Sequence, residues 1–262
     1  MKLEIISRVP EVKNGQPILF VHGAWHAAWC WDEFFMPFFS ERGYPCYALS
    51  LRGHGKSEGE IKGAKITDYL ADLEKAVAEI GQPLTLVGHS LGGYLVQRYL
   101  EKHKAQGAVL LAAMPPSKYS FFVRVASFPF FKALSSYFRN RPIPPPSKIE
   151  QVRRFFFSST LPLSTVESYQ RKMGPESLAI LIDYLITKPP APEKIKQTPI
   201  IIINGADDRK PKSNCSELVS GLYNAEFQVF ENTAHNIMLE SSWEPVAKRI
   251  LVWLDQLNSP KG

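Results

Sequence analysis

Short apolar runs alternate with longer stretches in which apolar residues recur at helical spacing, and this alternation covers most of the chain. Ile18 to Val21, Cys46 to Leu51, Leu84 to Val87, Ala108 to Ala112, Ile200 to Ile203 and Phe227 to Phe230 read as buried strands, with Leu3 to Val9 as an added edge strand. Leu70, Leu73, Ala76, Val77 and Ile80 share one face of a helix expected over 66–80, and another helix is expected from about Trp243 to Leu257. Strands separated by helices in this way predict an α/β fold, a mostly parallel central sheet flanked by helices. The alternation breaks between Met114 and about Pro192, where prolines bracket a stretch rich in aromatic and basic residues. A mainly helical insertion is expected there, dividing the chain into core 1–114, insertion 115–192 and core 193–262.

The chemistry is concentrated where one strand meets one helix. Gly88-His89-Ser90-Leu91-Gly92 follows the apolar run Pro83 to Val87 and opens the helical run Tyr94 to Leu100. A strand turning sharply into a helix lifts one side chain above the sheet edge, and glycines on either side spare that turn a Cβ clash. The lifted residue is Ser90. A serine hydroxyl is a poor nucleophile until a base takes its proton, so the motif requires a histidine and an orienting carboxylate elsewhere. His235 lies in a polar loop after the Phe227 to Phe230 run, where its ring can reach over the sheet edge. Asp207 and Asp208 follow the Ile200 to Ile203 run; successive side chains point in different directions, so only one of them can face the imidazole.

Four motifs together resemble the α/β-hydrolase superfamily, over a span from about Pro17 to about Leu257. They are Ile18 to Trp25, with His22-Gly23-Ala24-Trp25 as an oxyanion loop; Leu51-Arg52-Gly53-His54-Gly55-Lys56-Ser57; the Ser90 elbow; and the pair Asn204 to Asp208 and Thr233 to Asn236. They stand in the family's order, Ser then Asp then His. The resemblance implies an α/β-hydrolase fold with a cap at 115–192. It implies Asp208 as the acid, leaving Asp207 as the alternative, and backbone N–H groups of Ala24 and Leu91 as the oxyanion hole. Serine at the elbow sets the chain apart from epoxide hydrolases and haloalkane dehalogenases, which use aspartate there. Trp25, Phe121 and Phe122 are expected to line an apolar pocket between cap and sheet.

Composition narrows the remaining choices. A chain of 262 residues with 45% hydrophobic content can bury a sizeable core. The charged N-terminal residues and the lack of a long apolar run predict a cytoplasmic protein without stable membrane insertion. The net charge of +6 is spread along the chain, which argues against a nucleic-acid partner. Cys30, Cys46 and Cys215 are odd in number and widely spaced, so reduced thiols are expected. His22 and His26 have the i, i+4 spacing of some zinc sites, but Gly23 replaces the glutamate of HExxH and no metal is expected. Gly55-Lys56-Ser57 ends like a phosphate loop whose first glycine is replaced by Ser50. Taken with the resemblance, the expected activity is cofactor-independent cleavage of an apolar or aromatic small-molecule ester through an acyl-serine intermediate. The same triad would also serve a carbon–carbon bond hydrolase, a lyase or an acyltransferase, and a ligand-binding receptor is the non-enzymatic alternative. The pattern leaves the oligomeric state open.

Overall fold

The computed structural model describes residues 1–81, 83–116, 142–209 and 213–258. Seven strands form one sheet: β1 Glu4–Arg8, β2 Ile18–Val21, β3 Cys46–Ser50, β4 Thr85–His89, β5 Gly107–Leu111, β6 Ile200–Gly205 and β7 Glu226–Phe230. Their order is β1-β3-β2-β4-β5-β6-β7, with β1 antiparallel to β3 and every other pairing parallel. The expected strands are all present, including the edge strand. β2, β4, β5 and β6 are buried along their whole length, which is why their sequences carry apolar runs rather than a strict alternation.

Side chains still alternate between two cores. Ile18, Phe20, Ile201 and Ile203 join Trp31, Phe35, Phe39 and Trp253 on one face of the sheet. Leu19, Val21, Ile200 and Ile202 join Leu73, Tyr94, Leu95 and Tyr223 on the other. The first core is built from α1 Trp29–Asp32, α2 Phe35–Ser40 and the C-terminal helix Trp243–Asn258; the second draws on α3 Ile66–Ile80, α4 Leu91–Leu100 and the helix Ser213–Tyr223. α3 has the expected boundaries. Asp68 accepts the Lys65 N–H at 2.9 Å, Asp183 accepts the Ile66 N–H at 3.0 Å, and Gly81 ends the helix in the left-handed region.

Between β5 and β6 the described residues hold α5 Ile149–Phe156, α6 Leu163–Lys172, α7 Leu178–Ile186 and α8 Pro192–Ile195, with one antiparallel bridge between Ile143 and Glu176. Cys30 and Cys46 are buried free thiols; the side chain of Cys215 lies outside the described residues. No helix among the described residues is long and apolar enough to cross a membrane. In the helix Ser213–Tyr223, which we number α9, a Cβ on Gly221 would meet nothing within 4 Å. Gly221→Ala is therefore expected to stabilise the protein by about 0.5–1 kcal/mol, since alanine has less backbone freedom to lose. Urea denaturation measures this as a raised midpoint with unchanged slope.

Candidate functional site

Ser90 joins β4 to α4 and carries the turn in its own backbone. Its φ of 51° and ψ of −114° form a combination that side chains with a Cβ rarely adopt. Three hydrogen bonds hold it there: the Ser90 N–H donates to the Leu111 carbonyl, and the Ser90 carbonyl accepts from Tyr94 and Met114. The neighbouring glycines spare the turn a Cβ clash, as expected, although the unusual φ is not theirs. None of Gly88, Gly92 and Gly93 is left-handed. A Cβ on Gly92 would lie 2.3 Å from the Val21 carbonyl oxygen, and one on Gly88 would lie 2.6 Å from Gly93 Cα. The glycines let helix and strand backbones touch, while the serine bears the strain.

That contact brings three loops together at the C-terminal ends of the parallel strands, where α/β sheets place their ligand sites. His235 Nε2 lies 3.0 Å from Ser90 Oγ, and His235 Nδ1 lies 2.8 Å from Asp208 Oδ2. A carboxylate only accepts, so Nδ1 carries the ring proton and Nε2 is left to accept from the Ser90 hydroxyl. The Asp208 and His235 side chains are each 3% exposed. Asp207 is exposed, and its N–H donates to the Thr233 carbonyl at 3.0 Å. The acid and histidine loops can approach this closely because residue 205 is glycine: a Cβ there would sit 2.0 Å from the Thr233 oxygen.

Leu91 follows the serine in the chain, and Ala24 lies in the loop that packs against it. No hydrogen bond among the described residues engages either backbone N–H. The Ala24 loop is pressed against the elbow, since a Cβ on Gly23 would meet Ser90 Cβ at 3.0 Å. His22 fixes the peptide that bears the Ala24 N–H. Its Nδ1–H donates to the Gly23 carbonyl at 2.8 Å, and its Nε2 accepts the Leu51 N–H at 3.1 Å. Complete burial, with a smaller effect of nearby His54, pushes the His22 pKa well below the ordinary value and keeps this ring neutral. His89, beneath the elbow, donates from Nε2 to the His235 carbonyl at 2.9 Å.

The segment between β5 and β6 closes against the same loops. The Phe156 ring lies 6.2 Å from the His235 ring and meets Trp25 edge-on at 5.9 Å. Trp25 donates its indole N–H to the Ile143 carbonyl at 3.1 Å, and its own carbonyl accepts the Gly174 N–H at 3.0 Å. Phe121 and Phe122, expected beside Trp25, lie outside the described residues. Buried Glu240 accepts from the Ser158 N–H, the Ser158 hydroxyl and the Ala234 N–H, tying this segment to the residue before His235. Burial pushes the Glu240 pKa up despite those donors.

A second buried link runs through the turn after β3. Arg52 pairs with Asp68 and Asp72, and His54 Nε2 lies 3.5 Å from Glu176 Oε2, whose other oxygen accepts the Tyr69 hydroxyl at 2.7 Å. Burial is the largest influence on His54 and lowers its pKa. The contact with Glu176, that carboxylate's charge and the Arg52 and Leu51 backbone outweigh it, so the net shift is upward. A raised folded value adds stability that is complete below the ordinary histidine pKa of about 6.5 and is lost as pH rises through the folded value. The melting temperature of wild type is therefore expected to fall, relative to His54→Gln, as pH rises from 6.5 into the alkaline range. Parallel pH-dependent thermal scans measure the difference; parallel curves would show that His54 contributes none of it.

A sequence profile described as the alpha/beta hydrolase family matches residues 18–249. The chain belongs to the alpha/beta hydrolase family. Over 107 residues it is 39% identical to a non-heme haloperoxidase of Rhodococcus erythropolis, a stretch covering 39% of each protein. It is 37% identical over 106 residues to a bifunctional esterase/perhydrolase of Acinetobacter calcoaceticus, covering 38% of each. The chain thus aligns with about two fifths of the length of these family members. The fold extends further: the crystal structure of Paleococcus ferrophilus monoacylglycerol lipase superposes with a TM-score of 0.74 at 20% identity, covering 98% of this chain and 100% of that one.

Proposed function

We propose that this hydrolase cleaves carboxylic esters of apolar or aromatic small molecules through an acyl-Ser90 intermediate. The observation that carries the reading is the unbroken chain from Ser90 Oγ to His235 to Asp208, at 3.0 and 2.8 Å, on a strained turn. His235 Nε2 takes the hydroxyl proton as Oγ bonds to the ester carbonyl carbon, and Asp208 stabilises the resulting imidazolium. The N–H groups of Ala24 and Leu91 receive the oxyanion. Collapse breaks the bond to the alcohol oxygen, which leaves with the proton from His235. Water then attacks the acyl carbon, giving a proton to His235, and the acid departs as Ser90 is restored.

In this reading residues 115–192 are a cap on a core formed by 1–114 and 193–262, and Trp25 and Phe156 contribute apolar wall. Support comes from the Phe156 ring beside His235 and from the esterase named among the partial relatives. The test is hydrolysis of p-nitrophenyl esters from acetate to laurate together with fluorophosphonate labelling. Saturable turnover and label on Ser90 are expected. An inert protein whose Ser90 resists the label would overturn the proposal.

A further inference from the structure

The oxyanion loop closes as a tight turn. The His26 N–H donates to the Gly23 carbonyl at 3.3 Å, and Trp25, third residue of the turn, has φ of 65°. A bulky residue at positive φ is strained. Type I and type II turns differ by a half-turn of the peptide joining their two central residues, and the type I form would relieve Trp25. Something must therefore hold the Ala24–Trp25 peptide in the strained orientation.

The His26 ring is placed to do so. Its Nδ1 lies 2.9 Å from the Ala24 carbonyl oxygen, and its Nε2 lies 3.1 Å from Asn236 Nδ2. A carbonyl only accepts, so Nδ1 carries a proton; an amide nitrogen only donates, so Nε2 carries none. Asn236, fully buried and directly after His235, thereby selects the one neutral tautomer of His26 that can grip the Ala24 carbonyl. The preceding peptide is already gripped by His22. Both peptides flanking Ala24 are then fixed, one of them from the loop that carries His235. The amide is not a neutral filler, because Asn236 Oδ1 is buried with no hydrogen-bond partner among the described residues.

We propose that His26, set in its tautomer by Asn236, is a positioning residue that holds the Ala24–Trp25 peptide against inversion, so that the turn does not relax at Trp25 and draw the preceding Gly23–Ala24 peptide, whose N–H faces the oxyanion, out of place. This rests on the reading of Ala24 as an oxyanion donor. The relay engages the transition state rather than the bound ester, so its loss lowers kcat and leaves KM nearly unchanged.

Four variants and Ser90→Ala are compared with wild type on the shortest p-nitrophenyl ester that wild type cleaves, after thermal melts identify those that fold. His26→Phe keeps the ring but removes both nitrogens, and Asn236→Leu removes the selecting donor. Each is expected to lower kcat about 10- to 100-fold, part of what deleting a whole donor would do. His26→Asn places an amide N–H near the position of Nδ1 and is expected to recover most of the kcat lost by His26→Phe. The double variant His26→Phe/Asn236→Leu, which removes both polar partners together, is expected to lose no more than His26→Phe alone. Wild-type kcat in His26→Phe, or no recovery in His26→Asn, would overturn the relay while an inactive Ser90→Ala kept the site reading standing. Activity in Ser90→Ala would overturn the site reading itself.

Discussion

Ser90→Ala and His235→Ala are each expected to abolish ester turnover, by a factor on the order of a million where the three groups act as a unit. Either change leaves the other two groups without a reaction to serve, so combining the two substitutions should add little. Asp208→Asn is expected to lose roughly 10,000-fold, because an amide at the Asp208 position can present an N–H to Nδ1 and favour the wrong tautomer. Asp207→Asn should stay close to wild type, since that side chain points to solvent and only its backbone joins the Thr233 loop. The check is kcat on one p-nitrophenyl ester for all four variants, with urea midpoints to confirm that each is folded. Equal losses in Asp207→Asn and Asp208→Asn would show that the acid has been misassigned.

Gly92→Ala is expected to be among the most destabilising single-methyl changes in the chain. The added Cβ would lie 2.3 Å from the Val21 oxygen and 2.5 Å from the His22 oxygen, both backbone atoms that no side-chain rotation can move aside. α4 would have to lift off β2, carrying Leu91 away from the Ala24 loop. Overpacking of a rigid site costs about 1–3 kcal/mol, and a backbone-on-backbone clash belongs at or above the upper end. Gly174→Ala provides the contrast: a Cβ there meets nothing within 4 Å, so a change below about 0.5 kcal/mol is expected. Urea titration of both variants beside wild type measures the difference. A Gly92→Ala midpoint equal to that of Gly174→Ala would mean that the elbow is looser than its contacts imply.

Much of this molecule is legible in its pattern. The strands are readable because parallel strands covered on both faces must be apolar throughout, and Ile18 to Val21 and Ile200 to Ile203 meet that demand without interruption. α3 is readable from the spacing of Leu70, Leu73 and Ala76 and from Gly81 at its end. The start of α4 is harder to see. The pattern suggests helix from Tyr94, whereas the helix begins at Leu91: Gly92 and Gly93 have poor helical propensity and are accommodated in the first turn by tertiary contact, Gly92 against β2 and its loop and Gly93 against Ala113 and Gly88. The insertion is visible as a break in alternation, but not its attachments: Trp25 to Ile143, His54 to Glu176, and Glu240 to Ser158 each join residues far apart in the chain.

The site divides along the same line. Ser90, His235 and the Asp207-Asp208 pair stand out because local motifs surround them, and the family's spacing already favoured Asp208. The pairing of His26 with Asn236 leaves no local mark, since their hydrogen bond spans 210 positions. The sequence alone determined the α/β fold, its family and the position of Ser90 at the strand-to-helix turn, because periodicity and turn chemistry act within a few residues. Which carboxylate meets the imidazole, which backbone atoms the elbow's glycines clear and how the His22 to His26 loop is held were decided only in the tertiary structure. Those outcomes depend on hydrogen-bond lengths and backbone approaches between loops that come together only when the sheet is assembled.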